Sequence, residues 1–554
     1  MALDPEAILE GLDAEQREAV TTIRGPVCVI AGAGTGKTRV ITHRIAYAVA
    51  SGVADPSKTL ALTFTARAAG EMRARLRQLG VPNASARTFH SAALRQLMFF
   101  WPHSLGGQFP RLLTTKAPLL AASINETDTY LTQGAQTLRD ISSEIEWAKS
   151  LEIAPNYFVE EALAASRTLM MPNGKSNKEN LAEIAKVYEQ YEATKKQERV
   201  IDFEDVLLLT VGMMEEDRAV RERVRDQYRY FTVDEYQDVS PLQQRLLNLW
   251  LGNREEICVV GDSAQTIYSF AGASSTFLLS FTKRFPQAKV VRLSRGYRST
   301  PEIIRAANKL LRQAQPISGL NHHDQGHHEL VSMNEPGEQF TLKSYSSTFD
   351  EARDVAERID ALYTSDSTLD IAILARTNSQ LDLFENELAK RGIPSQVKNS
   401  DRFFDRTDVR DAMKVIRQAS VLPSDDWYRD LESVLTPFGK ADYVHAFLNL
   451  GQELTSSGTT SLRQFLRELE DRAEQNNPPT LPGIVLATLH AAKGLEWDHV
   501  FLVGINDGTL PLSTIRGAAE VEEERRLFYV GLTRAKKQVH LSHVGQPSPF
   551  LSAI

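Results

Sequence analysis

The sequence predicts an α/β protein built from two parallel-sheet cores, each interrupted by a helical insertion. Three observations predict it. Short apolar runs ending in small or acidic residues recur along the chain. Amphipathic segments separate them, and one long polar, helix-periodic stretch interrupts each half. In the first half the runs are PVCVIAGAG, TLALTFT, YFTVDEYQD and ICVVGD; in the second they are KVVRLS, IAILART, IVLATLH and HVFLVG. Strands of this kind are covered on both faces, as helices cover a parallel sheet.

The first core is expected in residues 1–91 and 201–282. Its helical insertion, 92–200, carries EIEWAKS and NLAEIAKVYEQYEATKKQ. The second core is expected in 283–400 and 481–554, with an insertion at 401–480 carrying DVRDAMKVIRQAS and SLRQFLRELEDRAEQ. NHHDQGHHEL and EQNNPPTLPG read as loops or boundaries. No solenoid repeat is present.

No apolar run is long enough to span a bilayer, so no membrane partner is expected. The start, MALDPEAILEGLDAEQ, lacks the basic and apolar regions of a signal peptide. Cys28 and Cys258 sit in apolar strand-like runs and read as buried reduced thiols, which together point to the cytoplasm. A net charge of −8 argues against a surface coated in basic residues. It leaves room for a local nucleic-acid groove, because phosphate contacts need lysine and arginine only along the path.

AGAGTGKT, Ala31 to Thr38, follows the first apolar run and leads into RVITHRIAYAVA. Ala31 stands where a strict G-x-x-x-x-G-K-[ST] loop begins with glycine. The loop Ala31, Gly32, Ala33, Gly34, Thr35, Gly36, Lys37, Thr38, with Arg39 behind it, still has the parts of a phosphate cradle. Gly34 and Gly36 let backbone N–H groups approach phosphate, and the next helix's N-terminus favours its charge. Lys37 suits the β- and γ-phosphates, and the Thr38 hydroxyl suits Mg²⁺. A plain glycine-rich turn would not need that lysine–threonine pair.

YFTVDEYQD sets Asp234 and Glu235 at the end of a strand. One carboxylate there can hold Mg²⁺ through water, and the other can polarise an attacking water. A lone DE pair is commonly a solvated turn. With a phosphate loop in the same core, ATP hydrolysis is the favoured reading.

The motifs AGAGTGKT, TFTARAAGEM, TFHS, VDEYQD, GDSAQTIYSF, GYRST, ARTNSQ, TLHAAKGLEW and EEERRLFYVGLTRA occur in one order. In that order the chain resembles the UvrD/Rep/PcrA family of superfamily 1A DNA helicases, from about Leu12 to the end. LDAEQREAV resembles that family's adenine-reading Q motif. The resemblance implies two RecA-like phosphate-loop cores, with ATP and Mg²⁺ as cofactors. It implies Gln16 as the adenine reader, Tyr297 as the base-stacking aromatic, and Arg298 and Arg534 as arginines reaching the γ-phosphate. Gln265 is implied as a phosphate sensor and Glu496 as the ribose contact. A planar guanidinium suits an oxyanion whose charge spreads in the transition state.

For the polynucleotide track, the resemblance implies Phe64, with Thr65 beside it, Tyr268 and Phe270 as base-contacting residues. It also implies His90, Arg376 and Asn378 as backbone or base contacts. Stacking tolerates any sequence and is worth roughly 1–3 kcal/mol per base. For Tyr268 a core-packing role competes with this. The implied partners are single-stranded DNA and single-strand/duplex junctions, with a loading protein or self-association. Three departures stand out. Ala264 replaces a usual acidic residue, Phe270–Ala271 replaces a tryptophan–arginine pair, and the second insertion is short. The chain also resembles an actinobacterial UvrD-like subtype that carries further C-terminal domains, which implies a shortened form.

The expected activity is ATP-dependent helicase action with 3′-to-5′ polarity, in repair or replication-associated processing. A translocase that strips proteins but unwinds poorly is the nearest alternative, and a DNA-binding scaffold without a motor is a third. His322, His323, His327 and His328 cluster tightly enough for a metal, but no cysteine is near and the segment reads as a loop. The arginines of RAAGEMRARLRQL fit either a phosphate-facing stripe or a solvated face. EVEEERR reads as a solvated helix start.

Overall fold

The computed structural model describes residues 4–554 except 105, 170–173, 315–328, 367, 399–402, 422–425, 440, 457–458, 475–478, 480–482 and 516. The cluster His322, His323, His327 and His328 lies outside the described residues. The chain forms two compact units. One comprises Met1–Ile30, Val40–Thr65 and Asn83–Val291; the other comprises Ala31–Arg39, Ala66–Pro82 and Arg292–Ile554.

The strands of the first unit, in chain order, are β1 (Val27–Ala31), β2 (Thr59–Thr63), β3 (Ser85–Thr88), the two-residue β4 (Arg111–Leu112) and β5 (Val200–Ile201), β6 (Tyr230–Val233), β7 (Ile257–Gly261) and β8 (Lys289–Leu293). Six of them form one sheet in the order β3-β2-β6-β7-β1-β8. The pairs β1–β7, β2–β3, β2–β6 and β6–β7 are parallel. β1, β2 and β7 are buried along their whole length, which explains their unbroken apolar character. Cys28 and Cys258 lie in β1 and β7 as buried thiols, not as a disulfide.

KVVRLS, expected in the second core, is instead β8, the edge strand beside β1. Val291 and Leu293 are buried while Arg292 between them is exposed. That alternation marks a strand covered on one face, and it carries no sign of which sheet the strand joins.

Within this unit the helices Ala117–Glu126, Ala135–Ser150, Phe158–Ala164 and Asn177–Glu198 enclose their own apolar cluster, including Leu120, Ile141, Ile145, Phe158, Leu181, Ile184 and Tyr191. A buried ionic network borders it. The Lys149 ammonium donates to Asp202 at 2.7 Å and to Asp205 at 2.5 Å, and pairs with Glu192 at 3.3 Å. Lys195 reaches the same three carboxylates at 3.1, 2.6 and 2.8 Å. Burial alone would raise the Asp202 carboxyl, but Lys149, Lys195 and Lys116 hold it well below the usual range. Asp202 also caps the helix Phe203–Glu216, accepting from the Asp205 N–H at 2.9 Å.

The second unit adds β9 (Arg295–Gly296), β10 (Val331–Ser332), β11 (Thr341–Tyr345), β12 (Ile371–Ala375), β13 (Ser395–Val397), β14 (Ile484–Thr488), β15 (Trp497–Leu502) and β16 (Ala535–Val544). Its six-stranded sheet runs β11-β16-β15-β12-β14-β13, with every pair parallel. The helices Thr407–Ala419, Trp427–Leu435, Asp442–Ser456 and Leu462–Glu474 accompany a separate apolar cluster that includes Val409, Ile416, Leu431, Phe447, Phe465 and Leu469. The α/β class with two parallel sheets is as the sequence predicts. Among the described residues no helix is long and apolar enough to cross a membrane.

Candidate nucleotide site and nucleic-acid interface

In a parallel sheet the segments after each strand leave from one edge, the usual location of a ligand site. β1, β7 and β6 are consecutive neighbours, and each is followed by one of the chemistry-bearing motifs. After β1 the loop turns through Gly34 and Gly36, at φ 74° and 84°, into the helix Lys37–Ala50. A Cβ on Gly34 would stand 2.7 Å from the Cβ of Arg298, and the Gly34 carbonyl accepts from the Tyr297 N–H at 2.9 Å. Glycine is therefore required there both by conformation and by close approach. Thr35 is buried and donates its hydroxyl to the Gly32 carbonyl at 3.0 Å. Lys37 and Thr38 open the helix, at the end where the aligned backbone dipoles are positive. That donor set fits a phosphate and, through Thr38, a hard cation.

After β6, Asp234 is buried and accepts the Glu235 N–H at 2.9 Å. Glu235 has φ 51° and ψ 39°, a left-handed conformation that a side chain adopts only at a cost. Its carboxylate accepts from Gln237 Nε2 at 2.5 Å, and Gln237 Oε1 accepts from the Asp262 N–H at 3.0 Å. The Asp262 carboxylate accepts from Gln265 Nε2 at 2.7 Å. A chain of hydrogen bonds thus runs from Glu235 to Gln265 through Gln237 and Asp262. These two linking residues lie inside VDEYQD and GDSAQT, but their side-chain roles are set by pairing between β6 and β7.

Gln16 is buried at the start of the helix Ala14–Thr21. Its side-chain oxygen accepts from the Asp13 N–H at 3.3 Å while Asp13 Oδ1 accepts from the Gln16 N–H at 2.8 Å. This reciprocal cap fixes the side chain's direction.

In the second unit Arg298 donates through Nε to Glu496 at 2.6 Å and through Nη1 to the Thr533 carbonyl at 3.2 Å. Burial raises the Glu496 carboxyl, yet Arg298 and Lys536 outweigh it and hold the group below its ordinary value. Arg534 is only 2% exposed, so it is no surface arginine. Its guanidinium donates to the Val530 carbonyl at 2.9 Å, the Leu495 carbonyl at 3.2 Å and Thr533 Oγ1 at 3.3 Å. Tyr297 is half-exposed.

The residues expected to meet a polynucleotide fall into two groups. Thr63 and Thr88 are paired at the ends of β2 and β3, and the Phe64 and Phe89 rings lie 6.1 Å apart. Phe64 is thus half-buried against the core, while Thr65 is exposed. His90 packs edge-on to Phe203, with centroids 6.0 Å apart. Burial, reinforced by Lys116 and opposed by Asp202, lowers its pKa to about 4. Tyr268 is half-buried and meets Phe270 edge-on at 6.1 Å; Phe270 is 47% exposed. In the second unit, Asn378 is exposed just after β12. Arg376 makes a bidentate pair with the buried Glu524 at 2.8–3.1 Å. Glu524 corrects the expectation that EVEEERR is wholly solvated: one face of that helix is turned inward to meet Arg376. Of the RAAGEMRARLRQL arginines, Arg67 pairs with Glu71 on the surface, and Arg75 and Arg77 are exposed.

A glycine-bearing loop that follows a strand of a parallel sheet and opens a helix is the arrangement of the phosphate-loop proteins. Comparison with known proteins narrows this. The UvrD/REP helicase N-terminal domain matches residues 12–286, and the UvrD-like helicase C-terminal domain matches residues 291–422 and 436–546. The ATP-dependent DNA helicase UvrD2 of Mycobacterium tuberculosis (strain CDC 1551 / Oshkosh) is 43% identical over 581 residues, covering 99% of this chain and 81% of the relative. The ATP-dependent DNA helicase PcrA of Bacillus subtilis (strain 168) is 29% identical over 643 residues, covering 98% and 84%. PcrA of Staphylococcus aureus (strain MRSA252) is 28% identical over 658 residues, covering 99% and 87%. The chain belongs to the UvrD-like helicase family.

Proposed function

We propose that this protein is an ATP-dependent DNA helicase that moves along single-stranded DNA, 3′ to 5′, and separates strands at single-strand/duplex junctions. The observation that carries this reading is the hydrogen-bond chain Glu235–Gln237–Asp262–Gln265. It begins at the carboxylate suited to polarise water and ends at Gln265, three residues before Tyr268 and five before Phe270. In this reading a change in charge at one end is passed to the segment that meets bases.

In this reading Lys37 and the loop N–H groups would hold the phosphates, and Thr38 and Asp234 would hold Mg²⁺, which would supply charge neutralisation. Glu235 orients the water, and Gln265 senses the γ-phosphate. Arg298 and Arg534 stabilise transition-state charge, and Gln16, Tyr297 and Glu496 hold the nucleoside. Phe64, Thr65, His90, Tyr268, Phe270, Arg376 and Asn378 meet the strand. Arg376 is already charge-paired with Glu524, so its contribution is orientation more than net charge. A cytoplasmic site of action and a role in DNA repair or replication-associated processing follow from the same reading.

The deciding experiment is the ATPase rate with and without single-stranded DNA. Stimulation of at least tenfold is expected, with turnover lost in Lys37→Ala. An equal rate in both conditions, or retained turnover in Lys37→Ala, overturns the assignment. The alternative of a translocase that unwinds poorly is favoured by Ala271, which brings no charge to the turn beside Phe270. Forked-duplex unwinding by the purified chain separates the two.

A further inference from the structure

The turn that carries Phe270 is gripped by the helical insertion of the first unit. Ser150, the last residue of the helix Ala135–Ser150, lies with its hydroxyl 3.0 Å from the Ala271 carbonyl and 2.8 Å from the Trp147 carbonyl. Arg167 Nη1 donates to the Phe270 carbonyl at 3.1 Å. Arg167 is itself fixed. Its Nε and Nη2 each donate to the Glu144 carboxylate at 2.7 Å, and its guanidinium lies 4.4 Å from the centre of the Trp147 ring. The pair is 15% and 10% exposed. The approach is close: a Cβ on Gly272, at φ 90°, would stand 2.1 Å from Ser150 Oγ.

Two successive carbonyls of one turn are thus held by side chains more than a hundred residues away in sequence. A bidentate carboxylate below and an aromatic face beneath the plane leave the guanidinium one orientation, with Nη1 aimed at the turn. Holding both carbonyls fixes the peptide planes on either side of Ala271, and with them the direction in which Phe270 projects. Ala271 has no polar group with which to do this locally.

We propose that Arg167 and Ser150 are positioning residues that aim Phe270 at the strand, so that the helical insertion and the aromatic grip move as one piece. This rests on Phe270 stacking on bases. It makes the insertion a sensor: a load on it is delivered to the base-contacting turn without passing through the nucleotide.

A double-mutant cycle on the full chain tests it, with fluorescence-anisotropy affinity for an oligothymidylate as the readout. Phe270→Ala is expected to weaken binding roughly tenfold. Arg167→Met should weaken it roughly fivefold, and Arg167→Lys should not rescue, because an ammonium lacks the planar fork that pairs with Glu144 on one edge and fixes the direction of the N–H aimed at the carbonyl. The double variant should bind no more weakly than Phe270→Ala alone. Multiplying losses, or no loss in Arg167→Met, overturns the proposal. An unchanged affinity in Phe270→Ala overturns the stacking reading and this inference with it. Ser150→Ala, expected at about twofold, supplies the same cycle without disturbing the Glu144 pair should Arg167→Met fail to fold.

Discussion

The two helical insertions have similar apolar clusters but opposite placement of charge. In the first, Lys149 and Lys195 are buried among Asp202, Asp205 and Glu192, and Asp202 also starts the helix Phe203–Glu216. In the second, pairs such as Arg417–Glu470 and Lys414–Asp411 lie on the surface. Buried ions add little net stability over an apolar equivalent, yet they tolerate one arrangement only. The difference teaches that the first insertion is docked by direction-dependent bonds among buried charges, whereas the described part of the second relies mainly on its apolar cluster. That fits the grip of Arg167 and Ser150 on the Phe270 turn, which needs a platform of fixed orientation.

Breaking the network is the strongest challenge to the comparison. Lys149→Met leaves two buried carboxylates short of one cation and should cost about 3–5 kcal/mol, read as a lower urea midpoint. A loss below about 1 kcal/mol would put the first insertion on the same footing as the second.

A smaller effect is expected from acid. His90 is held neutral down to about pH 4, whereas an unfolded histidine titrates near 6.5. Its contribution is complete above pH 6.5 and is lost as pH falls from there toward 4, because the unfolded chain binds the proton first. The melting temperature should fall through that window, and by a few degrees less in His90→Gln. Equal falls in both proteins would detach His90 from the stability of this region. The smallest change is reserved for the second insertion. Arg417→Ala should alter stability by no more than about 0.5 kcal/mol in the same denaturation assay, as exposed pairs do.

Local chemistry was the legible part of the molecule. Lys37, Thr38, Asp234 and Glu235 lie within short motifs, and each motif sits directly after the strand that its own apolar run announces. The apolar runs disclosed both sheets because buried parallel strands must be continuous in hydrophobic character. What stayed hidden depends on neighbours distant in the chain. Lys149 meets Asp202 across 53 residues, and Arg167 meets the Phe270 carbonyl across 103. Nothing in KVVRLS says which sheet it borders, and Glu524 among its glutamate neighbours shows no mark of the inward-facing position it takes. Gln237 was in plain view in VDEYQD, but an amide is informative only once its two partners are known.

Glu235 occupies a backbone conformation that glycine adopts without penalty and that β-branched residues resist. Selection for thermal robustness alone would therefore tend to expel the carboxylate from this position. In a saturation set at 235, glycine, asparagine and aspartate should head the melting-temperature ranking and valine, isoleucine and threonine should trail it, while turnover falls in every variant, glycine included. A ranking indifferent to branching would mean that the surrounding chain, not the residue, sets the conformation. Otherwise the fold is sacrificing roughly 1 kcal/mol of its own durability to keep one acid in service.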